Sequence, residues 1–268
     1  MGCMDKKILI GTSGWSYDDW IGNFYPSHLK RNEFLPYYSQ YFNVVEINFT
    51  YYSLPNKYAL RSIAKNVPFG FEFTVKLHSS FTHQVYSESL LPPYTELPNE
   101  SYEFLSAVDS MRSFGNVNVL LGQFPQSFAY SESNLDYIVK LKNFFKDYVL
   151  AIEFRNNTWV RDEVFRVFEE EGITFVSVDE PDIRGLMPRE FFVTNRIGYI
   201  RFHSRDATKW YKGEKLRYDY LYSEGELLEW VDKIKSLYNK FDKLYVFFNN
   251  CHNGQAVTNA LQFKNLQF

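Results

Sequence analysis

The sequence predicts an α/β fold, a TIM-type (β/α)8 barrel, from three observations. Eight short runs of apolar, mostly β-branched and aromatic residues alternate with segments of helical periodicity. Nearly every run ends in polar residues spaced two apart, such as Glu46 and Asn48, and alternation along a strand places such a pair on one face. Polar pairs at successive strand ends are typical of the site in a parallel barrel. The length of 268 residues also suits this fold, which takes about 250 residues.

The apolar runs predict eight strands, and most of them are apolar on both faces, as parallel strands covered on both sides should be. They lie at residues 7–11, 43–49, 70–77, 117–124, 148–155, 173–179, 198–203 and 243–249. The helical patterns between them lie at residues 33–42, 56–65, 100–114, 132–145, 160–171, 224–238 and 255–263.

Several helix ends carry their own signals. Ser131 and the acidic Asp162 are typical of helix starts, and Gly172 is typical of a residue that ends a helix. The segment 181–192, after the sixth strand, is short and irregular. It predicts one degenerate crossover in place of a regular helix.

No linker rich in Gly, Ser or Pro divides the chain, so residues 1–268 are expected to form a single TIM-barrel domain. Two long segments, 79–98 and 204–223, follow the carboxyl ends of the third and seventh strands. In a barrel such loops cover the mouth, which makes both of them candidate lids.

Charge and composition narrow the partners and the location. The net charge is −3, and no basic run is present, so the overall field does not indicate binding to nucleic acid or to an anionic membrane. No apolar stretch approaches the roughly 20 residues that cross a bilayer, and the first strand follows without an apolar signal segment. Cys3 and Cys251 lie near opposite ends of the chain. These features predict a cytoplasmic protein without a disulfide.

Motifs along nearly the whole chain resemble those of one known family. These motifs are Gly11-Thr12-Ser13-Gly14-Trp15, Val45-Glu46-Ile47-Asn48, Thr82-His83, Gln123-Phe124-Pro125, Glu153-Phe154-Arg155, Tyr199-Ile200-Arg201-Phe202-His203 and Phe248-Asn249-Asn250. On these residues the sequence resembles the YecE-like family, catalogued as domain of unknown function 72. The resemblance implies a TIM-barrel fold and brings no accepted reaction, substrate or cofactor.

The acidic residues and one histidine at the strand ends are the candidate catalytic groups. They are Glu46, Glu153, Asp179 and His203. A general acid and base with pKa values separated by burial would suit proton transfer near neutral pH. The structural alternative is that basic neighbours neutralise each carboxylate in an ion-pair network. A catalytic role predicts that Glu153→Gln and Asp179→Asn leave the melting temperature nearly unchanged, whereas a structural role predicts a large loss. Glu72, earlier on its strand, is expected to be structural.

A second group of residues is predicted to bind the substrate. It comprises Asn48, Lys76, His83, Gln123, Arg155, Arg201, Asn249, Asn250, Trp15, Tyr52 and Trp159. The cations and imidazoles would hold a phosphate or carboxylate, and the amides suit hydroxyls. The aromatic rings would wall the pocket or, alternatively, pack beneath loops. Lys76, if desolvated, could instead form a Schiff base with a carbonyl substrate.

No cofactor and no metal are expected. Glu46, Glu153, Asp179 and His203 could be drawn as a metal site, but the neighbouring arginines and lysine would repel a cation. Serine-hydrolase, NTPase and dinucleotide readings lack their motifs.

The favoured hypothesis is an enzyme of the hydrolase, lyase or isomerase type. It would perform metal-free acid/base chemistry on a small anionic or polyhydroxylated substrate, in a pocket at the carboxyl ends of the strands. The alternatives are a metal-dependent isomerase or phosphoesterase/endonuclease-like barrel, and a noncatalytic binder of a phosphorylated or nucleotide-like ligand. The sequence predicts no membrane partner and leaves the oligomeric state open.

Overall fold

A computed structural model describes residues 7–84, 94–114 and 116–266 of the chain. Within these residues every strand pairing is parallel. The strands are β1 Lys7–Thr12, β2 Val44–Ile47, β3 Glu72–Lys76, β4 Asn116–Gln123, β5 Val149–Glu153, β6 Thr174–Phe175, β7 Ser177–Asp179, β8 Ile197–Phe202 and β9 Lys243–Phe248. Each predicted run forms a strand, and the sixth is divided into β6 and β7.

The strands form two sheets, ordered β2-β3-β4-β5-β6 and β1-β9-β8-β7, which meet at two seams. At one seam Val176 alone separates β6 from β7, and its N–H still bonds to the carbonyl of Ile152 on β5 at 2.9 Å. At the other seam, just after β1, Ser13 forms a single parallel bridge with Glu46 on β2. The eight strand positions therefore follow one another around a parallel barrel, and the TIM-type prediction is confirmed.

Nine α-helices lie in the described residues, and the longer ones cover the outside of the strands. They are α1 Phe34–Tyr38, α2 Lys57–Lys65, α3 Ser79–Thr82, α4 Ser101–Asp109, α5 Glu132–Phe144, α6 Asp162–Glu171, α7 Glu214–Arg217, α8 Glu224–Ser236 and α9 Gln255–Asn265. All seven predicted helices are present among them. The first is shorter than predicted, because only hydrogen-bonded turns continue from Ser39 to Phe42.

The predicted helix ends are confirmed. The Ser131 hydroxyl accepts a hydrogen bond from the N–H of Asn134 at 3.2 Å, which caps α5. Gly172 adopts a left-handed φ of 66° directly after α6, a conformation that glycine reaches without a Cβ penalty.

The degenerate crossover is also confirmed, since no helix lies between β7 and β8. Thr194 in this segment takes over part of the strand pairing. Its hydroxyl accepts from the N–H of Phe175 at 2.9 Å and donates to the carbonyl of Ile173 at 2.7 Å. The segment thus satisfies backbone groups of β6 that would otherwise lack partners.

The amino-terminal end of the barrel interior is closed by a buried polar cluster. Glu72 accepts hydrogen bonds from Lys7 at 2.7 Å, Lys243 at 3.1 Å and the Tyr245 hydroxyl at 2.5 Å. Burial would raise the pKa of Glu72, but these partners lower it below its ordinary value. This neutralised carboxylate fits the structural role predicted for it.

No helix in the described ranges is both long enough and apolar enough to cross a membrane.

Candidate functional site

Predicted site residues on five strands converge at the carboxyl-terminal end of the barrel. They are Glu46 on β2, Lys76 on β3, Gln123 on β4, Glu153 on β5 and Arg201 on β8. The Arg201 guanidinium reaches both Glu46 and Glu153, at 2.6 and 2.5 Å, and Lys76 Nζ donates to Gln123 Oε1 at 2.9 Å. Because these contacts cross the interior, the side chains share the inner face of the strands.

Five buried side chains form a chain of alternating charges, here called the central ion network. In order they are Glu46, Arg201, Glu153, Arg155 and Glu180. Arg155 Nη1 lies 2.7 Å from Glu180 Oε2, and its Nη2 lies 2.6 Å from Glu153 Oε1. The second contact has the distance of an ion pair but not the alignment of a hydrogen bond. Three buried carboxylates thus alternate with two buried arginines.

The pKa values of the network follow from burial and charge. Burial alone would raise the pKa of Glu153, but Arg155 and Arg201 hold it well below its ordinary value. Burial would lower the pKa of Arg201, yet Glu153 and Glu46 raise it well above. For Glu180, burial outweighs the opposing charge of Arg155 and raises the pKa to about 7. Glu153 is therefore a fixed carboxylate, while Glu180 titrates near neutral pH.

The two histidines of the site are neutral. His203 Nε2 lies 3.0 Å from Arg155 Nη2 and 3.3 Å from Glu153 Oε1, while Nδ1 lies 3.0 Å from Asn249 Nδ2. Burial and the charge of Arg155 hold the pKa of His203 well below its usual range. The pKa of His83 is lowered to about 4, by burial and by Lys76 and Arg155. Neither ring contributes a positive charge at neutral pH.

Lys76 differs from the other cations of the site. Its ammonium lies 4.2 Å from the centroid of the Tyr51 ring, in addition to the bond to Gln123. Among the described side chains no carboxylate forms an ion pair with it, because Glu46 and Glu153 pair with arginines. Burial first, and then the charge of Arg201, lower the pKa of Lys76 to about 7. The residue nevertheless remains partly exposed.

A cavity of about 240 Å³ opens above the network and is here called the mouth cavity. Its lining residues come from the strand ends and from the segment 204–223. They are His83, Gln123, Pro125, Gln126, Arg155, Leu186, Trp210, Tyr211, Arg217 and Tyr218. Arg217 donates its Nε–H to the carbonyl of Trp210 at 2.8 Å, and its guanidinium lies 5.1 Å from the Trp210 ring. The predicted lid 204–223 thus walls the mouth cavity.

Two further features of the surroundings bear on the site. A larger cavity of about 570 Å³ lies beside α6, between Phe165 and Lys240, but none of its lining residues belongs to the network. Of the other predicted lid, 79–98, residues 85–93 lie outside the described part of the chain.

The structure does not bring Asp179 into this cluster. Asp179 pairs with Phe202 on the neighbouring strand, whereas Arg201 pairs with Val178. Asp179 therefore lies on the outer face of the strands with Phe202. It accepts hydrogen bonds from Arg205 at 2.7 Å, from the Tyr222 hydroxyl at 3.0 Å and from Trp230 Nε1 at 2.6 Å. Asp179 therefore anchors the helical layer to the barrel, and the inner face at this point carries Glu180.

Two other predicted residues also lie in the outer layer. Asn250 donates to the carbonyl of Tyr220 at 2.8 Å and to Asn259 Oδ1 at 2.9 Å. Trp159 is fully buried and stacks on Phe154 with ring centroids 4.2 Å apart. The structural alternative of packing beneath loops accounts for this tryptophan.

The remaining predicted residues lie near the barrel mouth without lining the cavity. Tyr52 is 68% exposed and packs its ring edge-on against Tyr51. Trp15 is partly buried against the core. Asn48 follows β2, and its Oδ1 is a buried atom with no hydrogen-bond partner among the described residues.

Four residues that matter for the site were not predicted. Glu180 could have been found from the alternation of side chains along the strand, because it directly follows Asp179 and therefore lies on the opposite face. Trp210, Arg217 and Tyr218 lie in the predicted lid, where no periodicity marks which side chains turn inward.

The described residues contain no group of three or more His, Cys, Asp or Glu side chains placed to hold a metal ion. The carboxylates of the central ion network face arginines instead.

Comparisons with known proteins agree with this architecture. The family model described as "Protein of unknown function DUF72" matches residues 9–267. The chain is 28% identical to the UPF0759 protein YunF of Bacillus subtilis (strain 168), over 97% of this chain and 94% of that protein. A DUF72 family protein of Thermotoga maritima MSB8 superposes with a TM-score of 0.84 at 38% identity, over 96% of this chain and 98% of the other. A DUF72 family protein of Enterococcus faecalis V583 superposes with a TM-score of 0.83 at 27% identity, over 97% and 96%.

Proposed function

Because the chain belongs to DUF72, a family of proteins of unknown function, we propose its function from the chemistry of the site. The protein is an enzyme that performs acid/base chemistry on a small anionic substrate held in the mouth cavity. Lys76 is the group that exchanges a proton with the substrate. The observation that carries the proposal is that Lys76 has no carboxylate partner among the described residues and is hydrogen-bonded to Gln123, which lines the cavity.

The Glu153 and Glu46 carboxylates are poorly suited to that task. The Glu153 carboxyl stays ionised because Arg155 and Arg201 hold its pKa well below the ordinary value, so it has no proton to donate near neutral pH. Glu46 accepts from Arg201 and from the Tyr199 hydroxyl, both at 2.6 Å. These groups set the field of the site and hold the arginines in place.

Lys76 is suited to proton transfer near neutral pH. An efficient general acid or base has a pKa close to the working pH, and burial together with Arg201 lowers that of Lys76 to about 7. The Gln123 amide fixes the position of the amine at 2.9 Å and itself lines the mouth cavity. A substrate in contact with Gln123 therefore lies close to the amine.

The lining of the cavity favours an anion. Arg217 presents a guanidinium group, which matches phosphate and carboxylate oxygens. Arg155 also lines the cavity, with its Nη atoms already paired to Glu153 and Glu180. Trp210 offers a flat apolar wall next to them, and Gln123 and Gln126 offer amides for hydroxyl groups. The volume of about 240 Å³ lies just below the usual range for drug-sized ligands, about 300–1,000 Å³. The substrate is accordingly a small molecule.

A noncatalytic binder of a phosphorylated ligand is the second candidate. It is favoured by the mutual neutralisation of Glu153, Arg155 and Arg201, because such a network would hold a binding pocket rigid without any reaction. Lys76→Met separates the two functions. Under the enzyme hypothesis the variant binds the anion and loses turnover, whereas a binder has no turnover to lose.

Thermal-shift screening against phosphorylated sugars, sugar acids and nucleotides tests the anion site. A ligand at 100 times its Kd should add about 2.7 kcal/mol to the free energy of unfolding, and Arg217→Gln should remove most of this gain. Arg217 lies outside the central ion network, so the variant should fold. The matched control is Arg196→Gln, because Arg196 is an exposed arginine paired with Asp242. Equal ligand shifts in Arg217→Gln and the parent protein would place the anion elsewhere.

A further inference from the structure

We propose that Lys76 forms a covalent imine with a small aldehyde or ketone that carries a phosphate or carboxylate group. This inference rests on the anion site of the proposed function, which positions the carbonyl, and in it Lys76 acts as the nucleophile instead of exchanging a proton directly with the substrate. It names the substrate class: a short carbonyl compound with one anionic group.

The first argument is the set of groups around the amine. Lysines inside proteins usually serve as counter-ions, but in the described part of the chain the carboxylates near Lys76 pair with arginines. Its hydrogen-bond acceptor is Gln123 Oε1, a neutral amide oxygen at 2.9 Å. A neutral amine can donate one N–H to this oxygen and keep its lone pair for attack on carbon. An ammonium held by a carboxylate has no such lone pair.

The second argument is the surroundings that keep the amine uncharged. The Tyr51 ring lies 4.2 Å from Nζ, and the whole side chain is enclosed by the barrel apart from a small exposed part. Burial and the nearby charges of Arg201 and Arg155 disfavour the ammonium form more than Glu153 and Glu46 favour it. Desolvation and neighbouring cations are the means by which a lysine becomes a nucleophile.

The third argument is the position of the amine relative to the anion site. Gln123 is the link, because it contacts Nζ and also lines the mouth cavity with Arg155 and His83. A molecule of three or four carbons could place its anionic group on the guanidinium of Arg217 and its carbonyl near Gln123. The neutral ring of His83 lies on the same wall, 5.1 Å from the Tyr51 ring.

The step balances without an oxidant or a reductant. The lone pair of Nζ forms a bond to the carbonyl carbon, and the π electrons of the C=O bond move to oxygen, which takes up a proton that the nitrogen releases. The resulting carbinolamine takes up one further proton from solvent on its hydroxyl group and loses it as water, while the nitrogen lone pair forms the C=N bond. One amine, one carbonyl and one proton give one protonated imine and one water. The protonated imine then acts as an electron sink for bond breaking at the adjacent carbon.

Reductive trapping tests the proposal on the full chain. The protein is incubated at neutral pH with glyceraldehyde 3-phosphate or with pyruvate, together with cyanoborohydride, and peptides are analysed by mass spectrometry. We expect one adduct per chain, located at Lys76, formed about a thousandfold faster than at exposed lysines, because at neutral pH the fraction of neutral amine follows the pKa difference. The two probes distinguish phosphate from carboxylate as the anionic group. Reaction spread evenly over the surface lysines would overturn the proposal.

Lys76→Met is the matched variant and should give no adduct. It is expected to fold, because an amine whose pKa is lower in the folded state binds fewer protons there. The native amine therefore lowers the free energy of unfolding at pH values below its unfolded pKa of roughly 10.4. This deficit in stability becomes smaller as pH rises from about 7 to that value. Methionine removes that deficit. An adduct of equal yield in this variant would also overturn the proposal.

Glycerol 3-phosphate separates this inference from the proposed function. It carries the anion without a carbonyl and should raise the melting temperature of both the parent protein and Lys76→Met. If it does so while neither carbonyl probe gives an adduct at Lys76, the imine is ruled out and the acid/base function stands. If glycerol 3-phosphate has no effect and no adduct forms, both fall together.

Discussion

Replacing Glu153 with glutamine should lower the free energy of unfolding by about 3–5 kcal/mol, since it leaves buried arginines without their shared counter-ion. Glu153 lies between Arg155 and Arg201 at 2.6 and 2.5 Å, and all three side chains are buried. The amide of glutamine also presents N–H groups to guanidinium donors. Chemical denaturation of the parent protein and the variant measures this difference directly.

The pH dependence of the difference follows from the pKa of Glu153. Because that pKa is held well below its ordinary value in the folded state, the carboxylate stabilises the fold fully above the unfolded pKa of about 4.3. The contribution is lost as pH falls further towards the folded pKa. The parent protein and Glu153→Gln should accordingly differ most at neutral pH and converge in acid.

The control is Glu229→Gln, which removes a carboxylate that is 54% exposed and pairs with Arg205. Exposed pairs contribute about 0–1 kcal/mol, so this variant should unfold almost like the parent protein. A Glu153→Gln protein with unchanged or higher stability would return Glu153 to the catalytic role that the sequence suggested.

Replacing Asp179 with asparagine should cost about 3 kcal/mol or more, although Asp179 lies outside the mouth cavity. Its carboxylate collects hydrogen bonds from Arg205, Tyr222 and Trp230. An asparagine loses the charge and turns an N–H group towards one of these donors. Thermal and chemical unfolding should show the loss, whereas anion binding to the folded variant should remain unchanged.

Asp242→Asn is the comparison for this variant, because Asp242 forms an exposed ion pair with Arg196. Its loss should amount to less than about 1 kcal/mol. If Asp179→Asn instead kept the stability of the parent protein and abolished anion binding, Asp179 would belong to the site.

The strands could be predicted because a buried parallel strand leaves a strong local signal. Apolar, β-branched runs marked all eight positions, including β4 and β9. The end of the barrel that carries the site could also be predicted, since charged pairs such as Glu153 and Arg155 close their strands. Those two residues do meet, at 2.6 Å.

The face of each pair could not be read from the sequence. A period of two says that Ser177 and Asp179 share a face, but only the pairing of Asp179 with Phe202 shows that this face is the outer one. The pairing of the charges could not be predicted either. Lys76 and Arg155 look alike as cations in the sequence, yet Arg155 has two carboxylate partners and Lys76 has none among the described residues.

The walls of the cavity were beyond prediction for a different reason. Trp210, Arg217 and Tyr218 lie in an irregular segment, where no repeat links sequence position to direction. Trp159, one of the aromatic residues favoured instead, packs in the core.

The most direct test of the central claim is the pKa of the Lys76 amine, measured by competitive acylation across neutral and alkaline pH with detection of the Lys76 peptide. Exposed lysines such as Lys240 serve as internal references, and the lysine amine of a model peptide has a pKa of about 10.4. The proposed site predicts that Lys76 reaches half-maximal reactivity near its pKa of about 7, and that a bound phosphate compound protects it. Half-maximal reactivity near that of Lys240, unaffected by anions, would contradict the assignment of Lys76 as the reactive group.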